Sequence, residues 1–193
     1  QIMSIVKGFY NSDNKVGSHI AESSLFNMLP KTPITAILLG QILKSDPKEI
    51  PSTLTELYSK FMEIVLSRWD SNDLKSQTEY EVLTNICGQF SYYILQHSLS
   101  IISIDELKDM IKIYLQERNL KINIEQVFDK IAKNNEIFSI NYEKNTIRFR
   151  HRSFSEFFYA HHIYKNNKYE INQDIYNPYW QNSYFFFFGL VKD

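Results

Sequence analysis

The apolar positions of this chain recur at helical spacing over most of its length. Ile2, Ile5, Val6, Phe9 and Tyr10 share one face of a predicted helix over 2–10, which Asn11-Ser12-Asp13-Asn14 breaks, and a short helix is predicted over 18–28. Ile34, Ile37, Leu38, Ile42 and Leu43 define the next helix. Thr32 caps it and Pro33 takes the first helical position, where a missing N–H costs nothing, and Asp46-Pro47 ends it. Up to Gly40 this helix is apolar almost all round, which implies burial on more than one side. Thr53-Leu54-Thr55-Glu56 is a capping box, opening a helix with Leu57, Phe61, Ile64, Val65 and Arg68 on one face and running to about Trp69.

A polar stretch over 70–76, with Leu74 as its one apolar residue, places a domain boundary between residues 50 and 76. Beyond it, Thr78-x-x-Glu81, Ser103-x-x-Glu106 and Asn123-x-x-Gln126 each open a predicted helix. After Asn135 the period changes to two. Residues 137–142 are β-prone, Glu143-Lys144-Asn145-Thr146 reads as a turn, and Ile147-Arg148-Phe149-Arg150 alternates apolar with basic. A capping box at Ser153 and Glu156 then starts a helix to about Lys165. A polar segment precedes Pro178, and an apolar helix is predicted from about 179 to 191. Three helices followed by a two-stranded hairpin outline a winged helix. The expected fold class is therefore mainly α: a helical subdomain followed by a winged-helix domain with a small β-hairpin.

Charge and composition narrow the function. A formal charge of −1 gives no electrostatic pull toward nucleic acid or an anionic membrane. The single cysteine, Cys87, excludes an internal disulfide, fits a reducing compartment and reads as a buried, inert thiol. The longest apolar run, 184–188, is far shorter than the ~20 residues a membrane helix needs. No basic region followed by an apolar run opens the chain, which starts at Gln1 and not at Met, so the expectation is a cytoplasmic piece of a larger protein. His161-His162 lack a Cys or carboxylate at ligand spacing, so no metal site is expected. Phe154, Phe157, Phe158 and His161 form one helical stripe, read as core.

The candidate chemistry lies at Phe149-Arg150-His151-Arg152-Ser153. A titratable imidazole stands beside a helix start, whose unpaired amides and dipole favour an anion such as a phosphate. If the strand continues to Arg152, then Arg148, Arg150 and Arg152 share one side, and Phe149 and His151 the other. Such a basic face could grip nucleic acid, as in the winged-helix module of a transcription regulator. Overall neutrality favours a solvated or intramolecular face instead. A plain helical interaction scaffold is the third reading.

Three motifs carry a resemblance to a known family. They are Leu29-Pro30-x-Thr32-Pro33, then Leu57-Tyr58-x-x-Phe61 followed by Leu66-x-Arg68-Trp69-Asp70, then Phe149-x-His151-x-Ser153-Phe154-x-Glu156-Phe157-Phe158-Tyr159-Ala160. In this order they resemble the C-terminal part of a NACHT-type module of the STAND class of signal-transduction ATPases, which includes animal NLR immune receptors. The first is similar to the family's sensor-proline motif and the third to its end-of-wing motif; His161 stands where the family often has a second alanine.

The resemblance implies a division into 1–50 (end of the helical domain), 51–76 (connecting helix and linker), 77–166 (winged helix) and 167–193 (start of a sensor region). It implies that Pro33, with Ile37 one turn along, packs near the base of ADP or ATP, and that His151 contacts the β-phosphate of ADP and holds a closed resting state. No G-x-x-x-x-G-K-[ST] string occurs, so the phosphate loop, magnesium and any catalytic acid are expected in an upstream nucleotide-binding domain, and this chain alone carries no catalytic residue. The implied role is a nucleotide-sensing lid that controls exchange and homo-oligomerisation, with bacterial antiphage signalling as its setting.

Overall fold

A computed structural model describes residues 32–45, 51–66, 74–167 and 173–192. The predicted helices over 2–10 and 18–28, the Leu29-Pro30 pair, the Asp46-Pro47 stop and the Arg68-Trp69-Asp70 string lie outside them. The described residues are mainly helical, with one small three-stranded antiparallel sheet. The chain divides into two compact units, Gln1–Ser71 and Asn72–Asp193.

In the first unit, α1 (Pro33–Ser45) packs on α2 (Leu54–Val65). Pro33 takes the first helical position as expected, and the Thr35 hydroxyl donates to the Thr32 carbonyl at 2.8 Å. Ala36, Leu38, Leu39, Ile42 and Leu43 are all buried, so α1 is enclosed on more than one side. At α2 the Thr53 hydroxyl accepts from the Glu56 amide at 3.0 Å. The Glu56 carboxylate passes over the Thr53 amide and takes the amide and hydroxyl of Ser52, at 2.6 and 2.7 Å. Burial pushes the Glu56 pKa up, but these two bonds and Lys60 outweigh it and hold the carboxyl below its ordinary value.

The second unit opens with α3 (Leu74–Gln96), which starts upstream of Thr78. Thr78 therefore does not cap it: Leu74-Lys75-Ser76-Gln77 contains no Gly or Pro, and the helix extends back through them. At the other end the Leu99 amide donates to the Ile94 carbonyl at 2.7 Å and the Ser98 amide to Leu95 at 3.2 Å. This closes a Schellman motif with Ser98 left-handed at φ 52°.

Next come β1 (Ile102–Ser103), α4 (Ile104–Glu117), α5 (Ile124–Lys133), β2 (Phe138–Asn141) and β3 (Thr146–Phe149). Ser103 and Glu106 form the complete capping box read from the sequence. Asn123 caps α5 through the amide of Glu125, not that of Gln126. The expected hairpin pairs Phe138 with Phe149 and Ile140 with Ile147. β1 was not expected. It pairs Ile102 with Ile147, so the sheet has the order β1-β3-β2. The hairpin turn is tied to the α4 start, where the Asn145 amide group donates to Asp105 at 2.7 Å and the Ile104 amide to the Asn145 carbonyl at 3.0 Å.

After β3 come α6 (Arg152–Lys165), a 3₁₀ turn (Gln173–Tyr176) and α7 (Gln181–Lys192), with α6 packed on both α3 and α7. Phe90, Phe138, Phe154 and Phe158 are fully buried where these helices meet the sheet. Cys87 is buried in α3 and burial pushes its thiol pKa far up, which leaves it the inert thiol expected.

Two substitutions test this packing. At Gly88 an added Cβ would lie 3.1 Å from the His162 Cβ and 3.3 Å from its Nδ1. Gly88→Ala therefore lowers the unfolding free energy obtained from urea titration by about 1 kcal/mol despite its better helix propensity, because the α3–α6 contact must open. Ser98→Gly relieves a left-handed backbone and raises the unfolding free energy by about 0.5–1 kcal/mol.

Candidate functional site

The ring of Phe149 ends β3 inside the core, stacked on Phe90 at 4.8 Å between centroids and tilted against Phe138 at 5.0 Å and Phe158 at 5.9 Å. The Arg150 amide donates once more across the hairpin, to the Ile137 carbonyl at 2.8 Å, and the chain then bends at Arg150 and His151. The strand does not reach Arg152. Phe149 is buried and His151 is exposed, so the two do not share a face as expected. The turn demanded by the α6 start breaks the alternation.

His151 is itself the N-cap residue of α6, with extended backbone at φ −129° and ψ 138° and no side-chain cap bond. Its ring meets Phe154 edge-on at 5.9 Å. The capping box expected at Ser153 and Glu156 is absent. Glu156 is only 3% exposed. Its Oε1 accepts from Arg152 Nε at 2.8 Å and its Oε2 from Asn182 Nδ2 at 3.1 Å. Tertiary partners have drawn the carboxylate away from the backbone, and the helix starts one residue before Ser153. The first amides of α6 therefore stand without a side-chain cap beside an exposed imidazole, an arrangement that can accept an anion.

The flanking arginines are mostly committed to the chain itself. Arg150 Nε donates to the Phe138 carbonyl at 3.2 Å. Arg152 Nη2 donates to the Tyr179 carbonyl at 2.8 Å, and its guanidinium lies 4.1 Å from the centre of the Tyr179 ring. Arg148 is exposed on β3, but with Arg150 and Arg152 both bonded within the chain the case for a basic face that grips nucleic acid is weakened. The i,i+4 spacing of Arg152 and Glu156 was readable as a pair; the participation of Tyr179 and Asn182 had no sequence signal.

Pro33 is exposed and Ile37 part-buried on the first turns of α1. They belong to the first unit and His151 to the second. An open cavity of about 670 Å³ lies in the second unit between α3 and α5, floored by Val82, Leu83, Leu120 and Val127 and edged by Lys121 and the Glu79–Lys130 ion pair. None of Pro33, Ile37 and His151 lines it. Among the described residues no group of His, Cys, Asp and Glu is placed to hold a metal ion, and no helix is long and apolar enough to cross a membrane. Comparison with protein-family models, curated proteins and solved structures finds no match to this chain.

On the same helix as His151, His161 is part-buried against the Phe157 ring. Burial, with the nearby Lys165 charge, holds its pKa down to about 4. Above about pH 6.5 it is neutral folded or unfolded. Between there and pH 4 the unfolded chain takes up a proton that the folded chain refuses, so stability falls with pH by up to ~3 kcal/mol. Urea titrations at pH 7 and pH 4.5 should show this loss, and His161→Phe should remove much of it.

Proposed function

We propose that this chain is the helical and winged-helix portion of a STAND-class ATPase, acting as a regulatory lid that reads the bound nucleotide. The three-helix run α3 to α5, followed by the β2–β3 hairpin, supports a winged-helix reading of the second unit. In the full-length protein His151 contacts the β-phosphate of ADP, while Pro33 and Ile37 contribute apolar surface to the base. An upstream domain supplies the phosphate loop and magnesium, and the closed ADP form is the resting state from which exchange and homo-oligomerisation proceed in a cytoplasmic, antiphage signalling role.

The observation that carries this reading is the exposed imidazole of His151 at the N-cap of α6, where no side-chain cap bond is made. A phosphate there meets the positive end of the helix dipole and the ring of an exposed imidazole that can donate a hydrogen bond to it. One charge-assisted hydrogen bond contributes about 1.5–3 kcal/mol, enough to bias a closed-to-open equilibrium ten- to a hundredfold.

ADP release from the full-length protein is the test. His151→Ala speeds it ten- to a hundredfold and raises basal oligomerisation. An unchanged release rate with unchanged oligomerisation would remove the latch.

A further inference from the structure

Arg152, Glu156, Tyr179 and Asn182 join the start of α6 to the start of α7. We propose that this cluster is a clasp through which the 177–192 segment sets the conformation of the His151 turn, with Glu156 as its positioning residue. The regulatory meaning of the clasp rests on the phosphate reading above; the coupling itself does not.

The Glu156 side chain is 4% exposed and that of Arg152 51%. An i,i+4 pair on a helix surface contributes little, but a buried carboxylate depends on every partner it has. Here each oxygen has one: Arg152 on Oε1, from its own helix, and Asn182 on Oε2, from α7. The same guanidinium donates to the Tyr179 carbonyl and lies over the Tyr179 ring. Tyr179 is anchored in turn. Its hydroxyl donates to the Leu95 carbonyl at 2.9 Å, and the ring of its neighbour Trp180 lies 5.0 Å from that of Tyr159.

Arg152 is the first residue of α6 and follows His151 directly. If α7 moves, Glu156 loses Asn182 while Arg152 loses a carbonyl and an aromatic face. A buried carboxylate left with half its partners must draw Arg152 further over it or turn toward water. Either response displaces the residue on which the N-cap backbone of His151 is built. A shift of α7 thus reaches the imidazole through two side chains and one peptide bond.

The test uses the whole chain in solution. The His151 Cε1–H resonance and hydrogen exchange at the Ser155 and Glu156 amides are followed in Asn182→Ala, Tyr179→Leu and Phe185→Ala. Asn182 is exposed, so its replacement keeps the fold. Phe185 is 54% exposed on α7 and outside the clasp, so it serves as the control. Asn182→Ala and Tyr179→Leu should shift the His151 resonance and speed exchange at both amides at least fivefold, with Phe185→Ala changing neither. An unmoved His151 resonance in both clasp variants overturns the proposal, as does an equal shift in the control. Should the clasp variants move His151 while His151→Ala leaves ADP release unchanged, the nucleotide reading fails and the clasp stands.

Discussion

The burial of Phe149 among Phe90, Phe138 and Phe158 fixes the place of everything that follows it in the second unit. Burying a phenylalanine stabilises by about 1.5–3 kcal/mol, and each well-placed ring pair adds about 0.5–1.5 kcal/mol. With that ring held between β2, α3 and α6, the strand has to stop, and the chain has two residues in which to turn into α6. Arg150 spends its amide on the hairpin and its side chain on the Phe138 carbonyl. His151 is left outside the core as the N-cap of α6 and, unlike Thr53, Ser103 and Asn123 at their helices, makes no side-chain cap bond.

Glu156 is the polar counterpart of that aromatic anchor. In isolation, a Ser followed three residues later by a Glu favours reciprocal bonds between side chains and backbone. In the folded chain the Glu156 carboxylate is enclosed by α6 and α7, where Arg152 and Asn182 satisfy both oxygens. Leaving a buried carboxylate unpaired costs more than leaving exposed helix amides to water, so the tertiary partners win. The consequence is chemical as well as structural. A capping box there would have tied the Ser153 amide to the carboxylate, whereas no side-chain cap bond closes the helix start beside the imidazole.

Where a signal is local, the sequence conveyed the structure. The Ser103–Glu106 box, the Pro33 start and the inward Ile147 and Phe149 of β3 all depend on residues within one turn or one strand. Longer-range features were not readable. β1 is a two-residue strand, too short to show a period, and exists because Ile147 offers it a partner. The α3 start was misplaced because Thr78-x-x-Glu81 matches a box pattern inside a helix that nothing upstream interrupts. At the candidate site the alternation expected through Arg152 placed His151 on the side of Phe149, and its exposure as the N-cap was not readable; nor was the bond from Asn182, twenty-six positions beyond Glu156, that holds the carboxylate away from a capping box. The places of Pro33 and Ile37 on α1 were legible, since both follow from a proline-started helix.

The central claim is that the His151 imidazole meets a phosphate, and the most direct measurement is a structure of the full-length protein with ADP bound. The account predicts a ring nitrogen of His151 about 3 Å from a β-phosphate oxygen, with the α6 amides directed at the same group. An ADP molecule bound with its phosphates remote from the α6 start, and His151 still against water, would contradict it.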